Sequence, residues 1–318
     1  MQEVITIYRK ELADHLSSYR FLILFSLIAM VSLIIVYMAG INIRQDLEGI
    51  AKPRFVFLML FTSSGALFSL VDFVAFFGPL IGLMLGFDAI NRERNQGTLS
   101  KLLAQPIYRD SIINGKFLAG ITIIAVMLVS IVAVISGLGL NVLGVVPGIE
   151  EVLRILIFLV ISIIYIAFWL GIAILFSILF RSVATSALAA LAAWIFFSFF
   201  VALGANIVAG AIVPDAGESS PEQVVRQAQI EKALALSSPM KLYSDATATV
   251  IDPMRKTTRT VIQMGIMERL SMARFAGPLT LGQSLLVVLP YIVSLIALSV
   301  VCFALSYTAF MRQEIRSL

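Results

Sequence analysis

From Phe55 to Phe87 the chain runs for 33 residues with a single charge, Asp72, and it holds other apolar stretches of comparable length, at 21–40, 117–140, 155–180, 183–208 and 281–310. A helix rising about 1.5 Å per residue crosses a ~30 Å hydrocarbon core in roughly 20 residues, so runs of this length read as membrane spans. A membrane barrel would show alternating segments of about ten residues instead. Helices satisfy their own backbone hydrogen bonds in lipid. The composition agrees, being 60% hydrophobic and 13% charged, where soluble domains carry about a quarter charged residues. The expectation is an all-α membrane protein with six transmembrane helices.

A single helix over 55–87 would be about 50 Å long, more than one ordinary crossing needs. We split the run near Ser63-Ser64-Gly65: residues 55–70 lie along or dip into the outer interface, and 71–87 cross. This puts Asp72 near the surface, away from the bilayer centre, where a carboxylate costs roughly 2.5–3.5 kcal/mol on insertion scales. One tilted helix is the alternative, and it would bury Asp72.

Several function classes lose support from what the chain contains. One cysteine, Cys302, and one histidine, His15, form no zinc or haem spacing, and a net charge of +4 gives no reason to expect nucleic acid. There is no phosphate-binding G-x-x-x-x-G-K-[ST], no H-E-x-x-H and no G-x-S-x-G, so neither a catalytic site nor a cofactor of its own is expected. Few ionisable groups lie in the spans, which disfavours an intramembrane hydrolase or an ion-driven carrier. No signal-peptide pattern precedes the first span.

In chain order, residues 1–20 read as an amphipathic helix, with Val4, Ile5, Tyr8, Leu12 and Leu16 on the apolar face and Glu3, Arg9, Lys10, Glu11 and Asp14 largely elsewhere. Residues 21–208 hold five spans, the fifth alanine-rich in its first half and aromatic in its second, from Trp194 to Phe200. Its small residues suit close helix packing. Residues 209–281 carry charge and prolines and read as a small helical external cap, with short helices near 221–236, 239–251 and 257–272; serine followed by proline starts the first two. Residues 282–318 supply the sixth span and the C-terminus. With the N-terminus inside, short inside segments hold 11 lysines and arginines against 4 outside. The positive-inside bias then makes both termini cytoplasmic and the chain a multi-pass protein of the cell membrane.

Between the second and third spans lies a polar island, residues 88–116, with Arg92, Arg94, Lys101, Arg109 and Lys116 against Asp88, Glu93 and Asp110. Gly97 permits a tight bend, Thr98 can cap a following short helix, and Leu99, Leu102 and Leu103 make an apolar ridge suited to a groove on a partner. Arg109 and Lys116, seven apart, share a helical face from which they can snorkel to lipid phosphates.

The pattern of Glu93, Arg94, Gly97, Thr98, Leu99, Leu102, Leu103, Pro106, Ile107, Arg109, Gly115 and Lys116 resembles the first coupling region of ABC-2 type permeases, the membrane subunits of a class of ATP-binding-cassette transporters. In plan the chain is similar to the branch of that family serving nitrous-oxide reductase maturation. Arg9-Lys10-Glu11-Leu12 is similar to the family's amphipathic connecting helix, and Ser238-Pro239 to Tyr243 to its external segment. Asn95 stands where many members carry a second glutamate. The resemblance implies a permease with a cytoplasmic coupling helix and no ATP site of its own. Two copies of a separate ABC ATPase would bind ATP and Mg and dock on the island, with Arg181 in the tight 181–182 turn as a second contact. It also implies a second permease chain, alike or different, met along the second and fifth spans in the surrounding lipid. ATP hydrolysis by the partner would drive export or extrusion of a hydrophobic or lipid-like compound. A non-transporting anchor that transmits motion to an external protein is the other reading.

Overall fold

The computed structural model describes residues 2–48, 54–62, 69–99, 104, 107–201, 204, 207–208, 236–255 and 277–312. Regular structure among the described residues is helical: α1 (Gln2–Leu16), α2 (Tyr19–Asp46), α3 (Val56–Thr62), α4 (Leu70–Gly86), α5 (Asn91–Asn95), α6 (Arg109–Leu143), α7 (Ile149–Leu179), α8 (Val183–Ile195) continuing as a π-helical turn (Phe196–Phe200), α9 (Pro239–Ile251) and α10 (Leu281–Arg312). Six are long and apolar enough to span a membrane: α2, α4 with its extension to Asn95, α6, α7, α8 with its π-turn, and α10. The chain is therefore a multi-pass α-helical membrane protein.

The 55–87 run is not one tilted helix. Ser69 is extended and caps α4, its Oγ accepting from Asp72 N at 3.1 Å and donating to Asp72 Oδ2 at 2.7 Å. Asp72 is exposed in the first turn, where the helix dipole favours a negative charge. The preceding α3 is enclosed by the chain's other helices. Phe57, Leu60 and Phe61 are completely enclosed, and Phe61 meets the Phe158 ring edge-on at 5.9 Å.

Helix α7 is the axis of the bundle. Along α4, Gly78, Gly82 and Gly86 recur every four residues on the side that faces it. A Cβ at Gly82 would stand 2.6 Å from Ile166 O and 2.8 Å from Leu170 N, so backbone meets backbone there. On the opposite flank, Ser299 and Ser306 of α10 donate to Ile164 O and Gly171 O at 3.3 and 3.2 Å. The second span is consequently an interior helix, with only Asp72 and Met84 of α4 exposed, and it offers little surface for the subunit contact expected along it.

Ser238 caps α9 with Pro239 at the first helical position, as the sequence indicates. Where the sequence suggests a cap, this helix packs between α7 and α10. Tyr243 is fully enclosed, stacks on Tyr165 with ring centres 4.5 Å apart and shares a 2.9 Å hydrogen bond with Ser162. Its start abuts the π-turn, where Ser238 Oγ donates to Phe197 O at 3.0 Å. The helices expected near 221–236 and 257–272 fall outside the described residues, apart from Leu236. In α8, Trp194 packs edge-on against Phe76, while Phe196, Phe199 and Phe200 face outward with Leu188 and Leu191.

Candidate functional site

At one end of the bundle α1, the α4–α5 junction, the start of α6 and the turn at Arg181 come together. The centre of this assembly is Lys116. Its side chain is only 6% exposed, and its Nζ lies 2.9 Å from Glu11 Oε1 and 3.0 Å from Glu93 Oε1. One ammonium thus ties the N-terminal helix and the island to the third span. Lys10 adds a half-exposed second cation, 3.3 Å from Glu11 and 3.5 Å from Glu93. Lys116 therefore does not reach for lipid phosphate as its spacing from Arg109 suggests, because two carboxylates hold it inside.

The same contact reverses part of the amphipathic reading of α1. Ile7 and Glu11 face inward, whereas Ile5 and Leu16 are exposed. Ile7 packs onto Gly115, where a Cβ would come within 2.8 Å of its Cγ2, so a side chain at 115 would push α1 away. Tyr8 Oη donates to Thr122 Oγ1 at 3.3 Å, and Glu3 Oε2 accepts from Tyr108 N at 3.1 Å, beside the positive end of α6. Leu12 is half-buried against the core, and Arg9 is exposed.

Burial pushes the Glu11 carboxyl up. The Lys116 charge and hydrogen bond, then those of Lys10, outweigh this and hold it below the usual carboxylate range. For His15 burial dominates and lowers its basicity.

The island is fastened to the far end of α7 as well. Ser177 Oγ accepts from both Ile90 N (2.9 Å) and Asn91 N (3.1 Å), capping α5 from a different helix. Asn95 Nδ2 donates to Arg181 O at 3.2 Å, and Ser186 Oγ to Phe87 O at 2.8 Å. Arg94 lies in this junction with Nη2 3.5 Å from Ile178 O. The two expected contact regions, the island and the Arg181 turn, are thus neighbours. Gly97 has φ +69°, the left-handed bend that favours glycine. Thr98 Oγ1 donates back to Glu93 O at 3.1 Å, closing the preceding turn. Leu99 is buried in this chain at 1% exposure, facing inward where the ridge reading has it presented to a partner. Leu102, Leu103 and Pro106 lie outside the described residues. Ile107 packs against the core and Arg109 opens α6.

Sequence reasoning missed Arg154, which counts there only as a loop charge. It is completely buried at the opposite end of the bundle. Its Nη1 donates to Thr249 O, Val250 O and Ser284 Oγ at 3.0–3.3 Å, and its Nη2 to Leu279 O (2.7 Å) and Glu150 Oε1 (3.0 Å). It caps the carbonyl end of α9 and joins it to α7 and α10. Its one sequence signal is Glu150 four residues before it.

A family model described as ABC-2 family transporter protein matches residues 5–315. A protein of Pseudomonas aeruginosa described as probable ABC transporter permease protein NosY is 35% identical over 154 residues, 47% of this chain and 49% of that one. The protein of the same description from Stutzerimonas stutzeri is 32% identical over 152 residues, 48% of this chain and 49% of its own. The chain thus spans about half the length of the curated relatives it matches.

Proposed function

The chain belongs to the ABC-2 family of transporter proteins, and from that premise we propose that it is the permease subunit of an ATP-driven exporter of hydrophobic or amphipathic compounds. Two separate ATPase subunits bind ATP and Mg, dock from the cytoplasm on the α5 region and the Arg181 turn, and drive two permease chains. The observation that carries this reading is the Lys116 cluster. A buried cation shared by carboxylates of α1 and the island makes α1, α5 and α6 move as one body, so a push on the island reaches a span directly.

Glu93 is an internal strut, so its removal is a poor test of docking. The exposed positions Tyr108 and Arg181 serve better. Tyr108→Asp puts a good helix-capping residue at the start of α6, where Tyr108 makes no side-chain cap, while placing charge at the surface, and Arg181→Glu reverses one. The expected outcome is that an ABC ATPase co-expressed with this chain co-purifies with it and is lost from the double variant, with the permease still folded. Vesicles containing both chains should then lose ATP-dependent efflux of an amphipathic dye. Undiminished co-purification with the double variant overturns the docking assignment, and efflux without any ATPase overturns the class.

A further inference from the structure

Where α1 turns into α2 and α4 runs into α5, a cleft of about 610 Å³ opens. Its floor is apolar, built from Phe21, Leu24, Met84 and Leu85 at the ends of the first two spans. Its charged walls are polarised. On one side two well-exposed guanidiniums, Arg20 and Arg92, converge on a single carboxylate, Asp88, at 2.9 and 3.9 Å, leaving one positive charge in surplus. On the other side three carboxylates, Glu11, Glu93 and Asp14, share two ammoniums, Lys10 and Lys116, leaving one negative charge in surplus. Glu93 Oε2, enclosed there, has no hydrogen-bond partner. His15 also lines the cleft, and burial favours its neutral form.

A ligand that answers all of this has a phosphate, an amine a few bonds away and an apolar tail. We propose that the cleft binds the head group of a zwitterionic ethanolamine phospholipid, with its phosphate on Arg20 and Arg92 and its ammonium toward Asp14, on the side of the negative surplus. Guanidinium forks suit phosphate oxygens, and the cleft sits where spans end, at the depth of lipid head groups. A docked protein segment would also meet charge, but the floor is continuous with an exposed apolar surface of the first span: Leu22 and Ile23, beside Phe21, are 59% and 64% exposed. The assignment is independent of which leaflet the cleft faces and of what the chain transports.

Native mass spectrometry of the full chain, released from detergent, tests it with four probes offered separately: phosphatidylethanolamine, phosphatidylglycerol, glycerophosphoethanolamine and inorganic phosphate. Phosphatidylethanolamine should be retained about tenfold more tightly than phosphatidylglycerol, the equivalent of one extra charge-assisted contact. Arg20→Gln with Arg92→Gln should weaken both lipids, and Asp14→Asn should remove the preference while sparing phosphatidylglycerol. Should the double variant fold poorly, Arg92→Gln alone is read. Equal retention of the two lipids overturns the zwitterionic assignment, and lipid retention unchanged in the arginine variants overturns the site. Retention of inorganic phosphate as tight as that of phosphatidylethanolamine would make it a free-phosphate site and overturn the lipid assignment. Protection of Arg20 and Arg92 by the ATPase but not by lipid would make it a protein dock.

Discussion

Pro79 has no N–H to offer Ala75 O, one turn back in α4, and the hydroxyl of Tyr165 fills that role at 2.7 Å. A proline inside a membrane helix is thereby satisfied from a neighbouring helix. Tyr165→Phe should cost about 1–3 kcal/mol by stranding a buried acceptor, read as a lower Tm in detergent. In a Pro79→Ala background, where the helix supplies its own donor, that cost should nearly vanish. At the other cluster the sign of a pH effect follows from Glu11. A carboxyl held below its ordinary value in the folded chain gives stability that is complete above its unfolded pKa, 4.5, and is lost as pH falls through the lower folded value. His15, also lowered, adds a loss that begins below its ordinary 6.5. A fluorophore at exposed Ala13→Cys, with Cys302→Ser, should report immobile α1 at neutral pH and release in acid. Lys116→Met removes the cation that holds Glu11 low, so α1 should already be loosened at neutral pH and the Glu11 part of the acid release should disappear.

Helix α4 shows what an element's sequence discloses and what it hides. That residues 55–87 break in two was legible, because one helix would overshoot the membrane and Ser63-Ser64-Gly65 offers a place to stop. That α3 is buried was not, since a short apolar helix reads the same at an interface or in a core. The repeat of Gly78, Gly82 and Gly86 was visible in the letters, but its meaning depends on α7 lying against it. Gly82→Ala should cost about 1–3 kcal/mol through overpacking, whereas Gly137→Ala, with nothing within 4 Å of the added carbon, should be tolerated; thermal unfolding of the two variants decides this. The α1 face was misread for a related reason. Periodicity turns a glutamate outward, and what turns Glu11 inward is Lys116, 105 residues away in the chain. The island motif itself was legible down to the bend at Gly97, while the inward direction of Leu99 and Glu93 needed the packed partner helices.

At the scale of the whole molecule, two polar knots hold opposite ends of an apolar bundle: Lys116 at one, Arg154 at the other. Breaking the second should loosen α9, since Arg154→Leu leaves the carbonyls of Thr249, Val250 and Leu279 without their donor. Proteolytic accessibility of 236–255 should rise markedly while α1 stays in place, and an unchanged digestion pattern would show that α9 is held by its apolar packing alone. Between the knots runs α6, 35 residues without a proline, a continuous rod of about 52 Å at 1.5 Å per residue. Lys116 sits near one tip and Asn141 near the other. A rotation of about 5° about one tip carries the other through roughly 4–5 Å, on the order of the span of a single helical turn, so an angular change too small to repack the helix at its pivot is large enough to open or shut a gap between side chains at its far end.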